Sequence, residues 1–158
     1  VLESWGLDAP HEREGRDGVV SWCLAAGHVP LPSWHEPVTS ERFDLVLHQV
    51  RNPIDTIASL TTMRADSMQW AAQSVEIDLS APKLVQALAY WVEWNKLAEA
   101  TAQITYRVED IPSDLPRRNQ RQHPDVEWWR LEEMAPKLAM EAQEMGRRYG
   151  YNTQRGSR

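Results

Sequence analysis

A chain of 158 residues can build one domain with a real core, and a second domain of ordinary size does not fit. Its 17 basic and 23 acidic side chains leave a formal net charge of −6, which argues against a general binder of nucleic acid or anionic membranes but allows a local basic pocket. A single cysteine, Cys23, rules out an internal disulfide framework and a thiol cluster for a metal; no apolar run nears the roughly 20 residues that span a bilayer, and no signal peptide is visible, so the expected location is cytoplasmic.

In chain order, Val1 to Gly6 reads as the last turn of a helix with Gly6 as its left-handed stop. So short a helix is unstable alone, and the expectation is that the domain is N-terminally incomplete in this sequence. Leu7 to Glu12 reads as a short strand or extended segment, because Pro10 biases Ala9 away from helix. After a charged loop, Val19 to Ala26 is apolar throughout and fits either a buried helix or a strand; Asp17 as cap and Gly27 as stop favour helix, and the apolar neighbours of Cys23 imply a buried thiol. Pro30, Pro32 and Pro37 mark an irregular connection from His28 to Ser40.

Leu45 to Val50 is an apolar run of strand length. Asn52-Pro53 then opens an amphipathic segment with Ile54, Ile57, Ala58 and Leu60 at helical spacing. Asn52 can cap that helix, Pro53 suits its first turn, and Asp55 complements the positive end of the dipole. Arg51 therefore falls at the carboxyl end of a strand expected to be parallel, where open α/β sheets bind ligands. Ser59 lies one turn beyond Asp55 on the same face, so a guanidinium and a hydroxyl can serve one anion.

Met63 to Ser74 reads as a further helix. Ser80 as cap and Pro82 in the first turn open a long one, with an apolar stripe of Leu84, Val85, Leu88, Trp91, Val92, Leu97 and Ala98, ending near Ala102. Ile104 to Val108 is β-prone and runs into a turn at Glu109-Asp110-Ile111-Pro112, so strand, helix and strand make a parallel βαβ unit. Pro116 to Pro124 is a basic loop. From Trp128 through Leu131, Ala135, Leu138, Ala142 and Met145 to Tyr149 runs a helical face that Pro136 splits in two. The domain is taken to end at residue 151, with 152–158 as a mobile tail.

The Arg51-Asn52-Pro53-x-Asp55 run, with Ser59 eight residues after the Arg, resembles the 3′-phosphate-binding segment of the sulfotransferases that use 3′-phosphoadenosine-5′-phosphosulfate (PAPS). Tyr90-Trp91-Val92-Glu93-Trp94-Asn95 and Tyr106-Arg107-Val108-Glu109-Asp110 are similar to the Trp-rich helix and the strand end of bacterial members. The likeness extends from about His11 to Asp110, with Tyr149-Gly150-Tyr151 as a weaker match. It implies a three-layer, helix-rich α/β fold with a short parallel sheet of the P-loop type. It also implies transfer of a sulfuryl group from PAPS to a hydroxyl or amine of a small-molecule or carbohydrate acceptor, without a metal. By the same likeness Arg51 and Ser59 hold the 3′-phosphate, and the basic loop with Arg118 and Arg121 covers the nucleotide. Cytosolic members place an adenine-packing aromatic directly before the Glu-Asp pair; this chain has Val108 there and Tyr106 two residues earlier. The Gly- and Ser/Thr-rich loop that cradles the 5′-phosphosulfate in the family has no counterpart among the seven glycines.

Sulfuryl transfer needs a base for the acceptor's proton, and the resemblance places it in His11-Glu12. Glu12 is the first choice, because the bacterial branch favours a carboxylate there, and His11 is its rival. Adjacent residues of an extended segment face opposite ways, so only one can face the cleft. Two other classes fit parts of the sequence. A P-loop kinase-like protein would share the layers but needs Gly-x-x-x-x-Gly-Lys-Ser/Thr, which is absent here; a non-catalytic helical interaction domain would account for eight tryptophans without a pocket. A homo-oligomer is compatible with either.

Overall fold

The computed structural model describes residues 6, 8, 9, 11, 16, 17, 19–26, 32, 33, 43–110 and 123–154. Strand β1 (Leu47–Val50) alternates exposed and buried side chains, with Leu47 and Gln49 outward and His48 and Val50 inward. It pairs in parallel with β2 (Ile104–Arg107), in the register Leu47↔Ile104 through Val50↔Arg107. The amide of Gln103 extends the pairing by donating to the Val46 carbonyl at 3.1 Å. Among the described residues the sheet has these two strands, so the mixed helix and parallel-strand character expected from the sequence is present, with a helix-rich crossover between them.

The crossover begins with α1 (Pro53–Leu60), for the reasons its sequence gives. Pro53 occupies the first turn, and the Asn52 side chain accepts from the amides of Ile54 at 3.0 Å and Asp55 at 3.4 Å. Helix α2 spans Ala65–Ala71, shorter than the expected 63–74. Arg64 provides no side-chain cap, and Gln73 and Ser74 bond three residues back, so the chain has already tightened into turns.

Helix α3 (Lys83–Thr101) is the longest element, and its opening corrects the sequence reading. Pro82 is its cap residue, and Ser80 does not cap. The Ser80 hydroxyl instead donates to Asp78 Oδ1 at 2.6 Å, closing a turn with the Ala81 amide on the Asp78 carbonyl. The Gln86 amide covers the free carbonyls of Leu79 and Ala81.

Packing is organised around α3. One flank carries Leu84, Leu88, Trp91 and Val92 against Ile57 of α1 and against Leu131, Ala142 and Met145 of α4 (Trp128–Met134) and α5 (Pro136–Arg148). The other flank carries Ala89, Tyr90 and Trp94 against Met68 and Trp70 of α2 and against Cys23. There Tyr90 stacks on Trp94 at 5.2 Å, and Trp22 meets Trp70 and Trp94 edge-on at 5.2 and 5.3 Å. A helix buried on two flanks needs an apolar surface wider than one stripe, and this is where most of the tryptophans go. Trp91 and Trp94 are therefore core residues rather than a display for a partner.

Pro136 does split the closing helix: α4 stops at Met134, Ala135 leaves helical geometry, and α5 begins at Pro136. The Val19–Ala26 run becomes a parallel bridge at Val20, paired with His11, followed by a 3-10 turn at Cys23–Ala26. Asp17 does not cap a helix there, because its carboxylate accepts from the Asp8 amide and is paired with Arg16, which hold it at a pKa of about 2. Thr153 is buried, its hydroxyl donating to the Gln143 carbonyl at 3.3 Å, so packing against α5 continues past Asn152. Gly6 adopts φ +76°, as a left-handed stop does; residues 1–5 lie outside the described residues.

Candidate site at the carboxyl end of the parallel strands

The two strands end together at Val50 and Arg107. Beyond Val50 the chain passes through exposed Arg51 into α1, and beyond Arg107 it enters a 3-10 turn at Val108–Asp110. A polar seam joins these exits. Glu109 Oε1 accepts from the backbone amide of Asn52 at 3.2 Å, and Glu109 Oε2 accepts from the Tyr151 hydroxyl at 2.6 Å. The same hydroxyl also reaches the Val50 carbonyl at 3.3 Å. Burial would raise the Glu109 pKa, but these donors and the nearby Arg107 guanidinium outweigh it and hold the carboxyl below the usual glutamate value. Burial, reinforced by the Glu109 charge, raises the Tyr151 phenol well above the ordinary tyrosine value.

Arg107 backs this seam. Its guanidinium lies over the Tyr151 ring, 4.5 Å from the centroid, and Nη1 donates to the Gly150 carbonyl at 3.0 Å. Gly150 is needed here, because its φ is +82° and a Cβ would sit 3.3 Å from Nη1. Arg107 Nε is 3.6 Å from an Asp110 carboxylate oxygen, too far for a hydrogen bond. Beside it opens a cleft of about 690 Å³, lined in part by Val50, Thr105, Tyr106, Arg107, Arg148 and Tyr149. On its wall the Tyr149 hydroxyl donates to Glu99 at 2.5 Å and Arg148 pairs with the same carboxylate, while burial and the Glu99 charge push the Tyr149 pKa upward.

The residues singled out from the sequence take different places. Arg51 is exposed at the strand end, and among the described residues its guanidinium has no hydrogen-bond or ion-pair partner. Ser59 is half-buried in the last turn of α1, roughly 9 Å along the axis from Pro53 at 1.5 Å per residue. No hydrogen bond joins Arg51 and Ser59 to each other. Tyr106 is half-buried on the cleft wall, and its hydroxyl donates across the sheet to Gln49 Oε1 at 2.9 Å. His11 is exposed in its bridge with Val20. Glu12, Arg118 and Arg121 lie outside the described residues. Among those described, no group of three or more His, Cys, Asp or Glu is arranged to hold a metal ion, and no helix is long and apolar enough to cross a membrane.

Three residues have structural roles that local sequence pattern does not assign. Glu109 and Tyr151 were visible only as parts of family-like motifs. His48 is buried on the helix-covered face of β1, with Nε2 2.9 Å from Asn95 Oδ1 and Nδ1 3.3 Å from Thr105 Oγ1. A polar residue at an inward position of an alternating strand was the available signal. Burial lowers the His48 pKa against the opposing effect of Asn95. No protein-family model matches this chain, and neither a curated protein nor a solved structure does.

Proposed function

We propose that the protein is a PAPS-dependent sulfotransferase of the three-layer, P-loop-like kind, with Arg51 as the anchor for the 3′-phosphate of the nucleotide. The observation that carries the reading is the exposed Arg51 at the carboxyl end of a parallel strand, in a strand-turn-helix unit whose Arg51, Asn52, Pro53, Asp55 and Ser59 resemble the family's 3′-phosphate segment. The neighbouring residue Val50 lines the cleft together with Tyr106 and Arg107, and this cleft is the candidate place for the remainder of PAP (3′-phosphoadenosine 5′-phosphate). Ser59 contributes a hydroxyl from the far turn of α1, and Arg118 and Arg121 are the further cationic candidates for the nucleotide's phosphates.

In the reaction the acceptor oxygen or nitrogen attacks sulfur and forms the new S–O or S–N bond. The bond from sulfur to the bridging phosphate oxygen breaks, PAP leaves with that electron pair, and the acceptor's proton passes to Glu12, with His11 as the alternative base. Catalysis in such a transfer rests on positioning and on donors that neutralise developing charge. The acceptor is a small molecule or a carbohydrate.

Calorimetric titration with PAP, and with ATP as control, tests the reading. Charge-assisted hydrogen bonds contribute about 1.5–3 kcal/mol each, so Arg51→Ala should weaken PAP binding at least tenfold. Equal PAP affinity in the two proteins, or no binding by either, overturns the assignment.

A further inference from the structure

We propose that Glu109 and Tyr151 are positioning residues for Arg51, clamping the peptide units on both sides of it so that the guanidinium is presented to an anion from a fixed turn. The inference rests on the reading of Arg51 as the phosphate anchor, and deepens it.

The starting point is a hydrogen bond that the helix cap leaves open. Asn52 spends its side chain on the amides of Ile54 and Asp55, so its own backbone N–H needs an acceptor elsewhere. In a capping box the third helical residue reaches back to that N–H with a Glu or Gln side chain. Here the third residue is Asp55, one methylene shorter; it is exposed, and among the described residues its carboxylate accepts no hydrogen bond. Glu109, 57 residues away in sequence, supplies the missing acceptor. The capping contact is thereby turned from a local device into a tether between the two strand exits.

Tyr151 makes the tether rigid. Its single hydroxyl proton goes to the second oxygen of Glu109 at 2.6 Å, with the Val50 carbonyl as a weaker second acceptor at 3.3 Å, so one Glu-Tyr pair touches both the C=O before Arg51 and the N–H after it. The phenol is buried, and Arg107 covers its ring while bonding to Gly150 next to it. Arg51 thus carries a flexible side chain on a backbone pinned at both ends. Pinning the backbone removes part of the ordering cost that a long side chain meets on binding.

The charge of Glu109 sharpens the argument. A carboxylate beside a phosphate site opposes anion binding, so a direct contact with the ligand is not its role. Glu109→Gln keeps an acceptor for the Asn52 amide and removes the charge. It should bind PAP at least as tightly as wild type. Glu109→Ala removes the acceptor and should weaken PAP about five- to tenfold, and Tyr151→Phe, which keeps the ring over Arg107, about three- to tenfold. Affinity for adenosine 5′-monophosphate, which lacks the 3′-phosphate, should not change in any of them. In an Arg51→Ala background Glu109→Ala should have no further effect.

The experiment is PAP and adenosine-monophosphate titration of these six proteins (wild type, Glu109→Ala, Glu109→Gln, Tyr151→Phe, Arg51→Ala, Glu109→Ala with Arg51→Ala), together with amide hydrogen exchange at Asn52 and the Arg51 Nε–H line width by NMR. Faster exchange at Asn52 and altered Arg51 dynamics in Glu109→Ala and Tyr151→Phe, with Glu109→Gln near wild type, support the clamp whether or not a nucleotide binds. Unchanged exchange and dynamics in Glu109→Ala and Tyr151→Phe overturn it. If the turn responds as expected but wild type ignores PAP, the clamp stands and the sulfotransferase reading falls. A fall in adenosine-monophosphate affinity equal to that for PAP also overturns the proposal, since general destabilisation would then account for both.

Discussion

The two flanks of α3 and the carboxyl end of the sheet are built by different means. Around α3 the chain relies on apolar volume: Leu88, Val92 and Leu131 are fully buried, and aromatic rings meet at 5–6 Å. At the strand ends position is fixed by hydrogen bonds among charged and polar groups, Glu109 to Asn52 and Tyr151, Arg107 to Gly150. Apolar packing is non-directional and stabilises the whole domain, whereas a few directed bonds hold one turn. Changes in the first region should therefore appear as lost stability, and changes in the second as altered ligand binding.

Four experiments can break or sharpen that contrast. The largest effect is expected from Leu88→Ala, which empties a fully buried site and should cost about 2–5 kcal/mol by urea unfolding. PAP affinity of the remaining folded protein should be unchanged; a large loss would show that the two regions are not separable. Next comes Gly146→Ala on α5, where an added Cβ would lie 2.8 Å from Thr153 Cγ2 and 3.1 Å from Pro53 Cγ. Overpacking of this kind costs about 1–3 kcal/mol. Adding Thr153→Ser, which deletes that methyl and keeps the hydroxyl, should recover part of the loss, and an additive result would place the strain elsewhere.

A smaller effect concerns pH. Burial lowers the His48 pKa in the folded state, so below the ordinary value of about 6.5 the unfolded chain binds the extra proton and stability falls as pH falls. The urea midpoint should drop between pH 7.5 and 5.5, and less steeply in His48→Gln. Equal slopes would remove His48 as the cause. Glu109, whose folded pKa is lowered, contributes stability that is present above about pH 4.3 and is lost as pH falls further, so the two windows are distinct. The smallest effect is on folding in Arg51→Ala, expected within about 0.5 kcal/mol of wild type because the residue is exposed. A larger loss would mean that Arg51 is part of the scaffold.

What the sequence revealed follows from which interactions are local. The strand to Val50, the Asn52-Pro53 helix start, the length of α3 and the break at Pro136 all depend on neighbours within a few residues, and all were legible. The start of α3 was misread because Ser80 had two acceptable uses, and Asp78 offered it a turn two residues back. The clamp was hidden for a different reason. Glu109 to Asn52 spans 57 residues and Tyr151 to Glu109 spans 42, and no periodicity in one sequence encodes such a pairing. Arg51 was legible as an exposed group at a strand end, while its spatial relation to Ser59 depends on side-chain paths that helical spacing does not determine.

His48 carries a further consequence. One face of β1 is buried, and a slip of one residue turns every side chain of a strand to the opposite face. In the observed alignment the imidazole finds Thr105 on the opposite strand and Asn95 on the helix above, so both ring nitrogens are satisfied in the interior. Sliding β2 by one residue would turn Thr105 to the other face and leave a buried nitrogen unpaired, at a cost of about 1–3 kcal/mol. His48 therefore works as a key in a lock: it adds little to how strongly the strands associate and much to which alignment they accept, and that alignment brings Val50 level with Arg107.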